Sequence, residues 1–96
     1  MPEDRLIIVR QAILEDLADR YPHGRRKADL KKSPNCQSCS AEDAEIMAEA
    51  RFLEAGGFIK DITPGLDPFW KIEYSGLQQI RRLVIPDPTI WGDSAR

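Results

Sequence analysis

Residues 52–62 read Phe-Leu-Glu-Ala-Gly-Gly-Phe-Ile-Lys-Asp-Ile. The stretch changes period in its middle. On its N-terminal side, Ile46, Ala50 and Leu53 recur at steps of four and three with Met47 beside them, which is one face of a helix. Gly56 and Gly57 then supply the left-handed backbone that closes helices without a Cβ penalty, and Gly57 is the one expected to hold the positive φ. From Phe58 the spacing falls to two. Phe58–Ile62 is expected as a strand, Thr63-Pro64-Gly65-Leu66-Asp67-Pro68 as a tight connection, and Phe69–Tyr74 as the returning strand of a hairpin. A helix that stops on glycine and turns directly into a hairpin restricts the fold class more than any other feature of the chain.

Upstream, the helix ending at Ala55 is expected to start at Ser40, with the hydroxyl as N-cap and Asp43 three residues on. Before it, Ser33–Cys39 is rich in Pro, Asn and Ser and reads as a loop. A short helical run, Arg25–Lys32, directs only Ala28 and Leu30 to a core. The first helix, 3–21, carries Leu6, Val9, Ile13, Leu14, Leu17 and Tyr21, widened by Ile7 and Ala18, over about half its circumference. So broad a stripe implies at least two neighbours. Arg10 falls inside that sector and is expected to snorkel, while Ile8 falls outside it. Pro22-His23-Gly24 ends the helix. Downstream of the hairpin, a closing helix begins near Ser75 with Leu77, Ile80 and Val84 on one side. Residues 1–85 thus form one domain and 86–96 an extended C-terminal arm, because Pro86 and Pro88 oppose a helix. Ile90 and Trp91 are costly to leave in water, so the arm is expected to dock, on its own domain or on a second chain.

Ninety-six residues suffice for one small core. A composition of 42% hydrophobic and 31% charged residues argues against disorder. The apolar run Leu6–Val9, preceded by Glu3 and Asp4, fits neither a signal peptide nor a membrane span, so an intracellular, cytoplasmic protein is expected. A net charge of −2 predicts no bulk attraction to nucleic acid, and any binding must use a local patch. Cys36 and Cys39 form a single CxxC, with His23 as the only other soft ligand, too few for four-coordinate zinc. A redox role lacks a surrounding βαβ pattern. The favoured reading packs one cysteine inward while the other caps or faces water. Neither a metal nor another cofactor is expected. No Ser/His/Asp set and no Gly-rich phosphate loop is present, so no enzyme and no small-molecule substrate is expected either.

Three helices, a hairpin and a closing helix resemble the winged-helix domain, a helix-turn-helix variant whose recognition helix leads into a β-hairpin wing. The resemblance rests on Ile46, Ala50 and Leu53 followed by Gly57-Phe58-Ile59, and on Tyr74-Ser75-Gly76-Leu77 entering the last helix, and it covers roughly 5–85. In size and layout the chain is most similar to small stand-alone winged-helix proteins of bacteria and their phages. It implies an α+β fold, a three-helix winged helix-turn-helix with a two-stranded wing and a C-terminal helix. It also implies double-stranded DNA as partner, with the third helix in the major groove, in a transcription regulator or accessory DNA-binding protein.

Charge distributes unevenly against that implication. Arg20, Arg25, Arg26, Lys27, Lys31 and Lys32 gather around Asp29, whereas helix 40–55 carries Glu42, Asp43, Glu45, Glu49 and Glu54 against Arg51. Opposite its core side that helix presents Ala41, Ala44, Ala48, Ala55 and Phe52, none of which reads a base edge. Two readings follow. In one, DNA is bound through Arg25, Arg26, Lys27, Lys31 and Lys32, helped by Arg81 and Arg82. In the other, the chain is a protein-interaction or assembly module using Ile8, Ala41, Ala44, Ala48, Phe52 and Trp91. A homodimer suits both.

Overall fold

The computed structural model describes residues 2–92, with side chains from Arg5 onward. The fold is α+β. Six helices surround a three-stranded antiparallel sheet in the order α1 (Pro2–Arg20), β1 (Arg25–Arg26), α2 (Lys27–Lys32), α3 (Pro34–Ser38), α4 (Asp43–Ala55), β2 (Ile59–Asp61), β3 (Phe69–Ile72), α5 (Tyr74–Ile80) and α6 (Pro88–Trp91).

The broad stripe of α1 makes it the central element, packed against α3, α4, α5, α6 and β3 at once. Val9, Ile13, Leu14 and Leu17 are fully buried there with Leu30, Cys36, Ile46, Ala50, Leu53, Trp70 and Ile90. Tyr21, expected on the stripe, is exposed because the helix has ended at Arg20. Arg10 does not snorkel. Its Nε donates to Glu49 Oε1 at 2.7 Å and one terminal nitrogen donates to the Thr89 carbonyl, joining α1 to α4 and to the C-terminal segment.

The glycine junction is as expected. Gly57 has φ 82°, Phe58 N–H donates to the Leu53 carbonyl and Gly57 N–H to that of Glu54, so α4 closes in a Schellman turn that feeds straight into β2. The start of α4 differs from expectation. Glu42 is the N-cap, its N–H donating to Glu45 Oε1 at 2.9 Å, while Ser40 sits two residues earlier at φ 54°. Glu reaches back across one turn better than Asp, which displaces the Ser40–Asp43 arrangement.

The hairpin gains a third strand. Arg25 and Arg26 pair with Trp70 and Phe69, giving the sheet order β1-β3-β2 where two strands were expected. The helical run therefore begins at Lys27, and Ala28 is exposed. Ser33–Cys39 is also not a plain loop. Ser33 accepts from Cys36 N–H and Pro34 occupies the first turn, which together start the short α3. Cys36 is fully buried and Cys39 half-buried at the C-cap, both thiols free, so one cysteine does pack inward.

The closing helix is shorter than its apolar spacing implied. It ends at Ile80, and Val84 is exposed rather than core. Arg82, at φ 59°, closes it as Gly57 closes α4, with Leu83 N–H donating to the Gln78 carbonyl and Arg82 N–H to that of Gln79. Beyond it the arm is not wholly extended. Pro88 starts the one-turn α6, where a missing N–H costs nothing, and Asp87 caps it by accepting from Thr89 N–H. This segment docks on α1 of its own chain. Buried Gln79 holds it, accepting from Asp87 N–H and Trp91 Nε1 and donating to the Ile85 carbonyl. Residues 93–96 of the expected arm lie outside the described residues.

Candidate nucleic-acid interface

The sheet has two unlike faces because side chains alternate along each strand. Toward α1 and α4 it buries Ile59, Trp70 and Ile72. Toward solvent it presents Arg26, Phe69, Lys71 and Lys60, arranged by register so that Arg26 lies opposite Phe69 and Lys60 opposite Lys71. The Arg26 guanidinium lies over the Phe69 ring at 5.4 Å, and that ring rests on Gly24, where a Cβ would come within 2.5 Å of it. Placing two lysines directly opposite on one face is destabilising in an antiparallel pair. Neither lysine forms an ion pair among the described residues.

From Arg26 the cationic surface continues onto α2. Lys27 and Ala28 border both a small cleft against Asp67 and Pro68 and a larger groove of about 640 Å³. Lys31, Lys32, Gln37 and Ser40 line that groove, with Glu42 and Asp43 on its α4 side. Lys31 is drawn to Asp43 at 3.4 Å, an exposed pair of small worth. Arg26, Lys27, Lys32, Lys60 and Lys71 remain without a carboxylate partner among the described residues. The acids bordering the same surface are Glu42 and Asp43 at the groove, Asp67 at the cleft, and Glu54 and Asp61, which line a depression with Lys60.

Arg25 is placed otherwise than its neighbours. As the inward residue of β1 it lies 3.0 Å from Asp16, a buried contact in which neither Asp16 Oδ2 nor Arg25 Nε is aligned for a hydrogen bond. Burial outweighs the attraction of Arg25 and pushes the Asp16 carboxyl above its ordinary range. Arg81 and Arg82 follow α5, which packs on α1, whereas α2 packs on α3, α4 and β1. The Arg82 guanidinium stacks at 4.2 Å on Trp91, so this pair belongs to the C-terminal segment.

The acidic helix is also not what its composition implied. Arg5 forks onto both carboxylate oxygens of Glu45 at 2.7 and 2.8 Å, and its hydrogen bonds, with that of Glu42 N–H, hold the Glu45 carboxyl down at about 2. Glu49 is buried against Arg10. Glu54 accepts from Arg51 at 2.8 Å and from Trp70 Nε1 at 2.9 Å. Burial works against the charge of Asp61, yet the N–H groups of Thr63 and Phe69 and the Arg51 guanidinium keep its pKa low. The outer surface of α4 is consequently near neutral, with Ala44, Ala48, Ala55 and Phe52 exposed and Phe52 lying under Arg10 at 3.6 Å. Ala41 is buried and leaves the set of possible contacts, Ile8 is half exposed on α1, and Trp91 packs against its own core.

Lys60, Lys71 and Phe69 were missed in the sequence because the hairpin was judged by its connection, 63–68. Alternation within Phe69–Tyr74 sets Lys71 opposite Trp70 and Ile72, but only the register of β2 on β3 brings Lys60 onto the same face. Among the described residues no group of three His, Cys, Asp or Glu could hold a metal, and no helix is long and apolar enough to cross a membrane. Comparison with family models, curated proteins and solved structures finds no match to this chain.

Proposed function

We propose that this chain is a winged-helix DNA-binding protein, of the kind that serves small bacterial or prophage regulators and accessory factors, and that it holds duplex phosphates with the open face of its sheet and with α2. The observation that carries the reading is the Lys60–Lys71 pair beside Arg26 on a solvent-facing sheet. A like-charged pair that costs stability and has no internal partner is suited to an external anion, and duplex DNA supplies a dense line of them. Further support comes from the order of elements, in which α4 leads through Gly57 directly into the hairpin. Such contacts position a duplex without reading its sequence.

Fluorescence anisotropy with two unrelated duplexes tests this. Replacing Arg26, Lys60 and Lys71 with Ala should weaken binding equally on both and reduce the slope of log K against log salt by about 2–3. Tight binding that ignores salt, or a triple variant that binds as the parent does, overturns the reading. A second reading, a winged-helix-shaped protein-interaction module, draws on the exposed Ala44, Ala48, Phe52 and Ile8 and on the lack of base-reading side chains along α4.

A further inference from the structure

The open face of the sheet carries an aromatic ring as well as cations. Phe69 is only partly buried, and among the described residues it belongs neither to the core nor to the side chains packed against that core. Its ring has a fixed seat all the same. It leans onto the backbone of Gly24, just before β1, where a Cβ would come within 2.5 Å of a ring carbon, so only a residue without a side chain leaves the space. Ile62 N–H donates to the Phe69 carbonyl and continues the ladder one residue past β2. Exposed Ile62 therefore stands across from Phe69 on one side, as Arg26 does on the other. The next outward pair along the sheet is Lys60 and Lys71, about 7 Å on at two residues' rise.

A ring so placed gains little from a closed duplex, whose bases are stacked on one another and show a flat sheet only phosphates, sugars and groove edges. An unpaired base presents a π-face. Stacking that face on an aromatic side chain, with cations along the phosphates, is how single strands are held without sequence preference. A guanidinium plane serves bases in the same way, and that of Arg26, 5.4 Å from the ring centroid, extends the platform. The nearest acids leave the ring open. Asp61 turns its carboxylate to Arg51 and to the N–H groups of Thr63 and Phe69, while Asp67 lines the small cleft with Arg26 and Lys27 and bounds the site there. We infer that the open sheet face also takes single-stranded nucleic acid, with one unpaired base stacked on Phe69 and the flanking phosphates held by Arg26, Lys60 and Lys71. The inference rests on the cationic surface of the proposed function, and adds to it a class of strand and the residue that engages a base.

Fluorescence anisotropy of the full chain with three probes tests this: an oligothymidylate of about 12 nucleotides, a strand of the same length without bases, and a mixed-sequence duplex. The parent should bind the thymidylate about 5- to 150-fold tighter than the abasic strand, the range for one stacked base. Phe69→Leu keeps an apolar contact on Gly24 and should remove most of that preference, while duplex affinity stays within about twofold because phosphate contacts are untouched. Phe69→Tyr keeps the ring and should bind the thymidylate as the parent does. A parent that binds the duplex or anionic vesicles but no single strand overturns the inference, and so does equal affinity for the thymidylate and the abasic strand. A folded Phe69→Leu variant that keeps the preference, or that loses duplex binding equally, overturns it too. Should Phe69→Leu unfold, nuclear Overhauser contacts between the parent's Phe69 ring and base protons decide, their absence counting against the stacking. The failures are distinguishable. If replacing Arg26, Lys60 and Lys71 with Ala weakens neither duplex nor single strand, the cationic face itself is refuted, whereas a loss there without one in Phe69→Leu refutes the stacking alone.

Discussion

The outer surface of α4 and the open face of the sheet meet at Gly56–Phe58, where α4 passes into β2, yet they treat charge in opposite ways. Along α4, Glu45 has Arg5, Glu49 has Arg10 and Glu54 has Arg51. Across the sheet, Arg26, Lys60 and Lys71 have no carboxylate among the described residues. The contrast shows why charge counted along a sequence is not charge on a surface. Helix 40–55 reads as strongly acidic and meets solvent nearly neutral, while a chain of net charge −2 carries an unpaired cationic face.

If the α4 acids are structural, the most buried of them should be the most costly to remove. Glu49→Ala leaves the largely buried Arg10 guanidinium without its carboxylate, with only the Thr89 carbonyl to accept from it, and should destabilise the fold by about 3–5 kcal/mol in denaturant unfolding. A loss below about 1 kcal/mol would return Glu49 to the status of a solvated surface charge. The junction between the two surfaces comes next. At Gly57 nothing lies within 4 Å of where a Cβ would sit, so the cost of Gly57→Val is backbone strain alone and should be about 1–3 kcal/mol. A neutral result would mean that the chain enters β2 by another route.

The acid limb sharpens the comparison further. Glu45 is held well below its ordinary 4.5, at about 2, by Arg5 and by Glu42 N–H. With the folded value depressed, its contribution to stability is present above pH 4.5 and is lost as pH falls toward 2. Glu45→Gln should therefore be less stable than the parent at neutral pH, and the difference should close across that window. The smallest effect is expected on the sheet and carries the opposite sign. Lys60→Thr removes the cross-strand repulsion with Lys71 and should stabilise the fold by about 0.2–1 kcal/mol, read as a higher urea midpoint. A lower midpoint would show that the pair is not strained and that no external anion is needed to explain it.

Much of the fold was legible because backbone demands and periodicity were local. Gly57 announced the end of α4, two alternating runs announced the hairpin, and the breadth of the α1 stripe announced a helix packed on several neighbours. What escaped was set by contacts distant in sequence or by residues acting out of type. Arg25-Arg26 is too short to alternate, and only Phe69 and Trp70, far along the chain, make it a strand. Arg82 closes α5 in a conformation usually left to glycine, so the apolar spacing ran on to Val84 unchecked. Arg10 inside an apolar sector looked like a snorkelling side chain because Glu49 stands 39 residues away.

The candidate cationic surface was half legible. Arg26, Lys27 and Lys32 were visible as a charge run, but Arg25 was removed from it by a buried carboxylate, and Lys60 and Lys71 were added by register. No reading of one segment could have brought these groups together.

Which surface meets DNA is decided most directly by a backbone amide chemical-shift titration of the labelled chain with a short mixed-sequence duplex at low salt. The account predicts that shifts concentrate at Arg26, Lys27, Lys60, Phe69 and Lys71 while Ala44 and Ala48 stay in place, and that the changes fade as salt is raised. Shifts centred on the outer face of α4, or none at any duplex concentration, would contradict it.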